Sequence, residues 1–220
     1  MQNHSRFNFF RTVYKRHLVL SGVLISALCF TIAVSVYPGG NPEDLHSDGF
    51  YWTKNYISHL LNYVALNGQA NPSRPFAVAA VLLLGFCSGL AFLRFSDKIQ
   101  RQDFKRPIRY LSVAIMLLSV LMVAPSIHDQ IVRIMSITTL VLFFYNAVYF
   151  LKSGPITIKL ISSFVVILFY GAGYMYFTRS GLTYLPMVQK LIHMIQIVWI
   201  IYLEYGIHSP DQPNKQTISG

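Results

Sequence analysis

Acidic residues are scarce in this chain, and so is charge of any kind. Of 220 residues only 8 are Asp or Glu, the four charged types together make up 12%, and cysteine occurs twice. A soluble domain normally carries about twice that share of charge, so an ordinary water-soluble enzyme or binding module is excluded. Cys29 and Cys87 both fall within apolar runs, which implies no structural disulfide. No Cys pair, no His-x-x-His cluster and no two histidines four residues apart offer the donor spacing of a dedicated zinc motif. A Gly-x-Ser-x-Gly elbow and a phosphate-binding loop are also missing. No cofactor is expected, and the enzymatic signal is weak. Neither an internal repeat nor a low-complexity tract is visible.

What the chain has in quantity is apolar sequence: 54% of its residues are hydrophobic and the mean hydropathy is +0.46. Several runs approach the roughly 20 residues that carry a helix across a bilayer core. Only helices or closed barrels satisfy their backbone in lipid, so the reading is all-α: a polytopic six-helix transmembrane bundle. The predicted spans are 18–37, 76–95, 108–123, 127–151, 158–177 and 184–205, within a transmembrane domain of residues 18–207. A basic arm (1–17) with Arg6, Arg11, Lys15 and Arg16 precedes it, and a polar tail (208–220) follows. The first span has a basic flank like a signal peptide but no small-x-small cleavage site, so it is read as retained. The net charge of +10 gathers beside alternate ends of the apolar runs, a topology signal rather than a nucleic-acid surface. It predicts a multi-pass protein of a cell membrane, of bacterial inner-membrane type, with both termini cytoplasmic and membrane lipids as its surroundings. Gly85 and Gly89 in the second span form a small-xxx-small face that suits helix packing, the feature on which a scaffold or assembly-partner role would rest.

The longest connection, an outer loop of residues 38–75, is where polar chemistry collects. Thr53 to Leu66 has helical periodicity, with Asn55, Ser58, His59 and Asn62 on one face and Ile57, Leu60, Leu61 and Val64 on the other. With Thr53 as N-cap and Asn67-Gly68 as stop, this predicts a short amphipathic helix lying on the membrane surface. Polar residues inside spans are costly and tend to face the bundle interior. Two such groups stand out. In the fourth span, His128, Asp129 and Arg133 follow Ser126. Asp129 and Arg133 make an i,i+4 pair, and Ser126 with Asp129 resembles a capping box. In the sixth span, Gln189, His193 and Gln196 share a narrow face with Lys190 on its flank, and Lys190 could pair with Asp129 or snorkel outward. Together these residues predict an outward-facing polar pocket beneath the surface helix that binds a small polar molecule or lipid headgroup. His46, His59, His128 and His193 are its candidate titrating groups.

The run from Pro38-Gly39-Gly40 through Asn55, Tyr56, Ile57, Ser58 and Leu60 to Asn71-Pro72 resembles the start of a bacterial six-helix membrane family, the domain-of-unknown-function 998 group. There a Pro-Gly-Gly element precedes an Asn-aromatic-Ile-Ser-Asp-Leu-like helix and an Asn-Pro turn. His59 stands where that family has an acid. Pro125, His128 and Gln189-Lys190 are compatible with it. The resemblance implies fold and location only. A more distant likeness is to seven-helix membrane hydrolases that hold zinc with a Ser, an Asp and three His. Ser58, His128, Asp129 and His193 carry it, but Ile197 occupies the place of a second histidine, and one helix is lacking. It implies a zinc-dependent intramembrane lipid hydrolase as the alternative function.

Overall fold

The computed structural model describes the backbone of residues 2–206 and, Pro125 apart, the side chains from His17 onward. Among these the chain forms six α-helices: α1 (Gln2–Ser35), α2 (Arg74–Asp97), α3 (Gln102–Leu121), α4 (His128–Ser153), α5 (Ile156–Thr178) and α6 (Leu185–Tyr205). The side chains of the basic arm before His17 and the whole of the polar tail lie outside the described residues. Each of α1, α2, α4, α5 and α6 contains a stretch long and apolar enough to cross a membrane. This is the architecture of a multi-pass membrane protein.

α3 differs because its first third reads Gln-Asp-Phe-Lys-Arg-Pro-Ile-Arg. Along its whole length it is amphipathic at helical spacing: Phe104, Ile108, Ser112, Ile115 and Ser119 are buried, while Tyr110, Val113, Leu117 and Val120 are exposed. A second difference concerns residues 53–66. In place of a long surface helix, only Ile57–Leu61 is helical, as a single 3-10 turn. Tyr56 rather than Thr53 caps it, and Val64 is not packed beneath it but 52% exposed. Asn and Ser side chains offer the backbone competing hydrogen bonds, and this stretch contains three of them, Asn55, Ser58 and Asn62.

Consecutive helices pack against one another from α1 to α6, and α6 closes back onto α2 and α1. α2 therefore sits between α1, α3 and α6, which explains its buried small residues Ala77, Ala80, Ser88, Gly89, Ala91 and Ser96. The end away from the 36–73 connection is filled by aromatic rings. Phe143 of α4 meets Phe92 of α2 edge-on at 5.6 Å, and Phe150 meets Trp199 of α6 at 5.7 Å. Arg94 and Glu204 pair across α2 and α6 in the same region. Asn146 lies between Phe143 and Phe150 along α4, fully buried. Its Oδ1 and the Trp199 Nε1 are buried polar atoms without a hydrogen-bond partner among the described residues.

The Gly85/Gly89 stripe is used up inside the chain. A Cβ at Gly85 would stand 2.3 Å from the Ser119 Cβ, and one at Gly89 only 2.8 Å from the Ser112 carbonyl oxygen. The stripe is the seat of α3, not a surface offered to a second copy. Gly85→Ala is expected to lower stability by about 1–3 kcal/mol through overpacking. Ser119→Gly in the same chain should recover part of that loss, although the added glycine itself costs up to about 1 kcal/mol in a helix. Thermal unfolding of the four members of this double-mutant cycle in detergent checks it. Additive losses would show that the two positions are not in contact.

Candidate functional site: a polar cleft beside a folded loop

The 36–73 connection is a folded element built on side-chain amides. Gly39 and Gly40 have φ of +137° and +83°, conformations that favour glycine. They turn the chain so that the Gly40 N–H donates to the Ser47 carbonyl at 2.7 Å and the Asn67 N–H to the Gly39 carbonyl at 3.3 Å. Asn41 closes the small ring: its Oδ1 accepts the N–H groups of Glu43 and Asp44, and its Nδ2 donates to Ser47 Oγ. Asn55 is completely buried. Its Nδ2 donates to the Gly40 carbonyl at 2.7 Å and its Oδ1 accepts the Tyr51 N–H at 2.9 Å. Asn71 holds the far side, donating to the carbonyls of His59, Leu60 and Asn62 while its Oδ1 accepts from the N–H and hydroxyl of Ser73. Beneath them Leu60, Leu61 and Ala65 pack with Ala33 and Tyr37 at the end of α1 and Ala77 of α2. Buried amides are stable only when their donors and acceptors are matched, and here they are.

α6 grips this element from below. Lys190 Nζ donates to the Asn55 carbonyl at 2.5 Å and to the Pro186 carbonyl at 3.0 Å, with the Phe50 ring 5.3 Å away. Gln189 Oε1 accepts the Ile57 N–H at 3.1 Å, and the Tyr56 hydroxyl donates to the Leu182 carbonyl. His59 sits at the join. Its Nδ1 accepts the Tyr56 N–H at 3.2 Å and faces Asn55 Nδ2 at 3.3 Å. Two donors at one nitrogen require a lone pair there, so the proton is on Nε2. Burial, reinforced by the Lys190 ammonium, pushes His59 down to about 4.

That depression has a sign. Because folded His59 resists protonation, its contribution to stability is full above the ordinary histidine range near 6.5 and is lost as pH falls towards 4. Hydrogen exchange across residues 38–73, corrected for intrinsic rate, is expected to show the loop loosening between about pH 6.5 and 4. His59→Asn, which keeps an acceptor near the Nδ1 position, should flatten that response. A loop equally protected at both ends of the window would refute the assignment.

The second polar region is separate. Where α3 ends and α4 begins, a cleft of about 250 Å³ is lined by Ser126, His128, Asp129, Gln130 and Arg133, by Met122 and Val123, and by Leu61 and Asn62 of the loop. The capping box is not formed: the N-cap residue of α4 is Ile127, without a side-chain cap. His128 Nδ1 lies 3.0 Å from the Met122 carbonyl. A carbonyl can only accept, so Nδ1 carries the proton and Nε2 keeps its lone pair. Asp129 and Arg133 are exposed. Among the described residues they form no ion pair, with each other or with Lys190, so the anticipated i,i+4 bridge is absent.

The sequence-predicted residues thus divide. Asn62, His128, Asp129 and Arg133 line the cleft. Asn55, His59, Gln189 and Lys190 hold the loop to α6. Ser58 is half-buried in the 3-10 turn. His193 turns its Nδ1 to the Gln189 carbonyl at 2.7 Å within its own helix, and Gln196 Nε2 donates to Ser88 Oγ of α2 at 3.0 Å. The single pocket anticipated under a lid is therefore a clamp and a cleft. Ser126 and Gln130 join the cleft without having been singled out as ligands; their nearness in sequence to Asp129, Ser126 just before α4 and Gln130 in its first turn, was the available signal. No three His, Cys, Asp or Glu residues gather as a metal-binding group among the described residues. The fold is that of a helical multi-pass membrane protein with a polar cleft at one end. Compared with protein-family models, curated proteins and solved structures, the chain matches none.

Proposed function

We propose that this is an integral membrane protein, of the domain-of-unknown-function 998 kind, that binds a small polar molecule or lipid headgroup in the cleft between α3, α4 and the loop. α3 makes the sixth crossing: residues 108–121 span roughly 21 Å as a helix, and its charged first turns sit at the interface. The connection between α2 and α3 carries Lys98 and Arg101, the first turns of α3 add Lys105, Arg106 and Arg109, and the connection between α4 and α5 is flanked by Lys152 and Lys159. That bias favours a cytoplasmic location for this end and an outward-facing loop and cleft.

The observation that supports binding is a pair of opposite charges, Asp129 and Arg133, in a cleft at the end of a membrane helix and without partners among the described residues. Ionisable residues within membrane-crossing helices are rare and mark function more often than structure. The hydrolase alternative has no comparable support. Native mass spectrometry of the purified chain should reveal a bound polar species. Arg133→Ala should weaken its binding about tenfold or more, the scale of one charge-assisted hydrogen bond. Undiminished binding in that variant would reject the cleft as the site.

A further inference from the structure

We propose that the cleft selects a phospholipid with a primary ammonium in its headgroup, of the ethanolamine class; this rests on the binding reading above. The cleft walls carry one carboxylate and one guanidinium, a balance that fits a zwitterion better than an anion or a cation. The two charges are ordered along α4. Along the helix axis the backbone of Arg133 lies about one turn, roughly 5–6 Å, past that of Asp129. A two-carbon bridge separates phosphate and ammonium by a comparable distance, so the phosphate rests on Arg133 and the ammonium on Asp129.

The direction of that order is informative. A phospholipid whose chains point into the bilayer carries its phosphate deeper than its amine, which is the order the two side chains offer. Below Arg133, α4 exposes Ile134, Ile137 and Val141, and α3, which packs against it, exposes Val113, Leu117 and Val120. Apolar surface of this kind is open to acyl chains, which a free solute would not need. A primary ammonium has N–H groups for a carboxylate to accept. A quaternary ammonium has none and is held instead by aromatic cages, and among the described residues no Phe, Tyr or Trp lines this cleft. The volume of about 250 Å³ falls just under the roughly 300–1,000 Å³ of pockets that enclose a drug-sized molecule, which suits a headgroup whose tails remain outside.

The test uses the full chain in nanodiscs of phosphatidylcholine doped with equal parts of phosphatidylethanolamine and phosphatidylglycerol. Lipids retained on gentle extraction are counted by native mass spectrometry, with soluble phosphoethanolamine as a competitor. Phosphatidylethanolamine should be retained about tenfold over the other two. Asp129→Asn should erase that preference while leaving phospholipid retention, and Arg133→Ala should remove retention altogether. Among the described residues neither side chain has a hydrogen-bond or ion-pair partner, so neither change is expected to disturb folding. Retention that depends on Arg133 but is equal for all three headgroups, and unaffected by Asp129→Asn, overturns this inference and leaves the binding reading intact. Displacement by phosphoethanolamine at the affinity of the lipid itself overturns the lipid assignment in favour of a soluble zwitterion. Retention indifferent to both substitutions overturns both readings.

Discussion

Gly40→Ala is expected to unfold the 36–73 connection while leaving the helices standing. A Cβ at Gly40 would lie 2.4 Å from the backbone nitrogen of Asn67 and 2.6 Å from the carbonyl carbon of Leu66, at a φ of +83°. Neither neighbour is the tip of a flexible side chain. The backbone cannot retreat either, because Gly40 donates to Ser47 and accepts from Asn55. Strain of roughly 1–3 kcal/mol and overpacking of similar size give a loss of about 4 kcal/mol. Hydrogen exchange should show residues 38–73 exchanging orders of magnitude faster, with circular dichroism nearly unchanged. Gly68→Ala is the control: its φ is +84° but no atom stands within 4 Å of the added carbon, so only strain of about 1–2 kcal/mol remains. Equal protection in the Gly40 variant and the native chain would contradict the close approach.

Lys190→Met should release the loop from α6. Methionine keeps an unbranched apolar stem but loses the donor to the Asn55 and Pro186 carbonyls. A hydrogen bond to a charged group contributes about 1.5–3 kcal/mol, and the abandoned Asn55 carbonyl adds a desolvation cost. Local opening of residues 50–61 is therefore expected to rise about 30- to 150-fold. The substitution should also act on His59. Removing the ammonium lifts one of the two influences that depress its protonation, so the acid-induced loss between about pH 6.5 and 4 becomes smaller. A variant that opens no more readily, or keeps the full acid response, would show that the contact does not hold the loop.

The spans were legible because lipid leaves little choice: a run of about 20 apolar residues becomes a helix whatever its neighbours do. The boundaries of α2, α4, α5 and α6 accordingly lie within about two residues of those read from hydropathy, inside the usual uncertainty of helix ends. The loop was not legible in the same way. Asn55, Leu60, Leu61 and Asn62 fit a helical wheel, but their conformation is decided by long-range amide contacts, Asn55 to Gly40 and Asn71 to three carbonyls. Periodicity carries no information about those. The Pro-Gly-Gly and Asn-Pro elements, noticed as a resemblance, are parts of that amide framework. For the site, side-chain chemistry singled out Asp129, Arg133 and Lys190, yet spacing along separate helices could not say which would meet. Lys190 found a carbonyl, and Asp129 was left for something else.

One turn of chain, Ile57–Leu61, touches both polar regions. Its first amide is tied to Gln189 of the sixth helix, and its last residue forms part of the cleft wall. It works as a short crank: a lengthwise slip of the sixth helix would pull one end and reshape the mouth at the other. Occupancy of the mouth would resist that slip by the same amount of free energy, as reciprocity between linked equilibria demands.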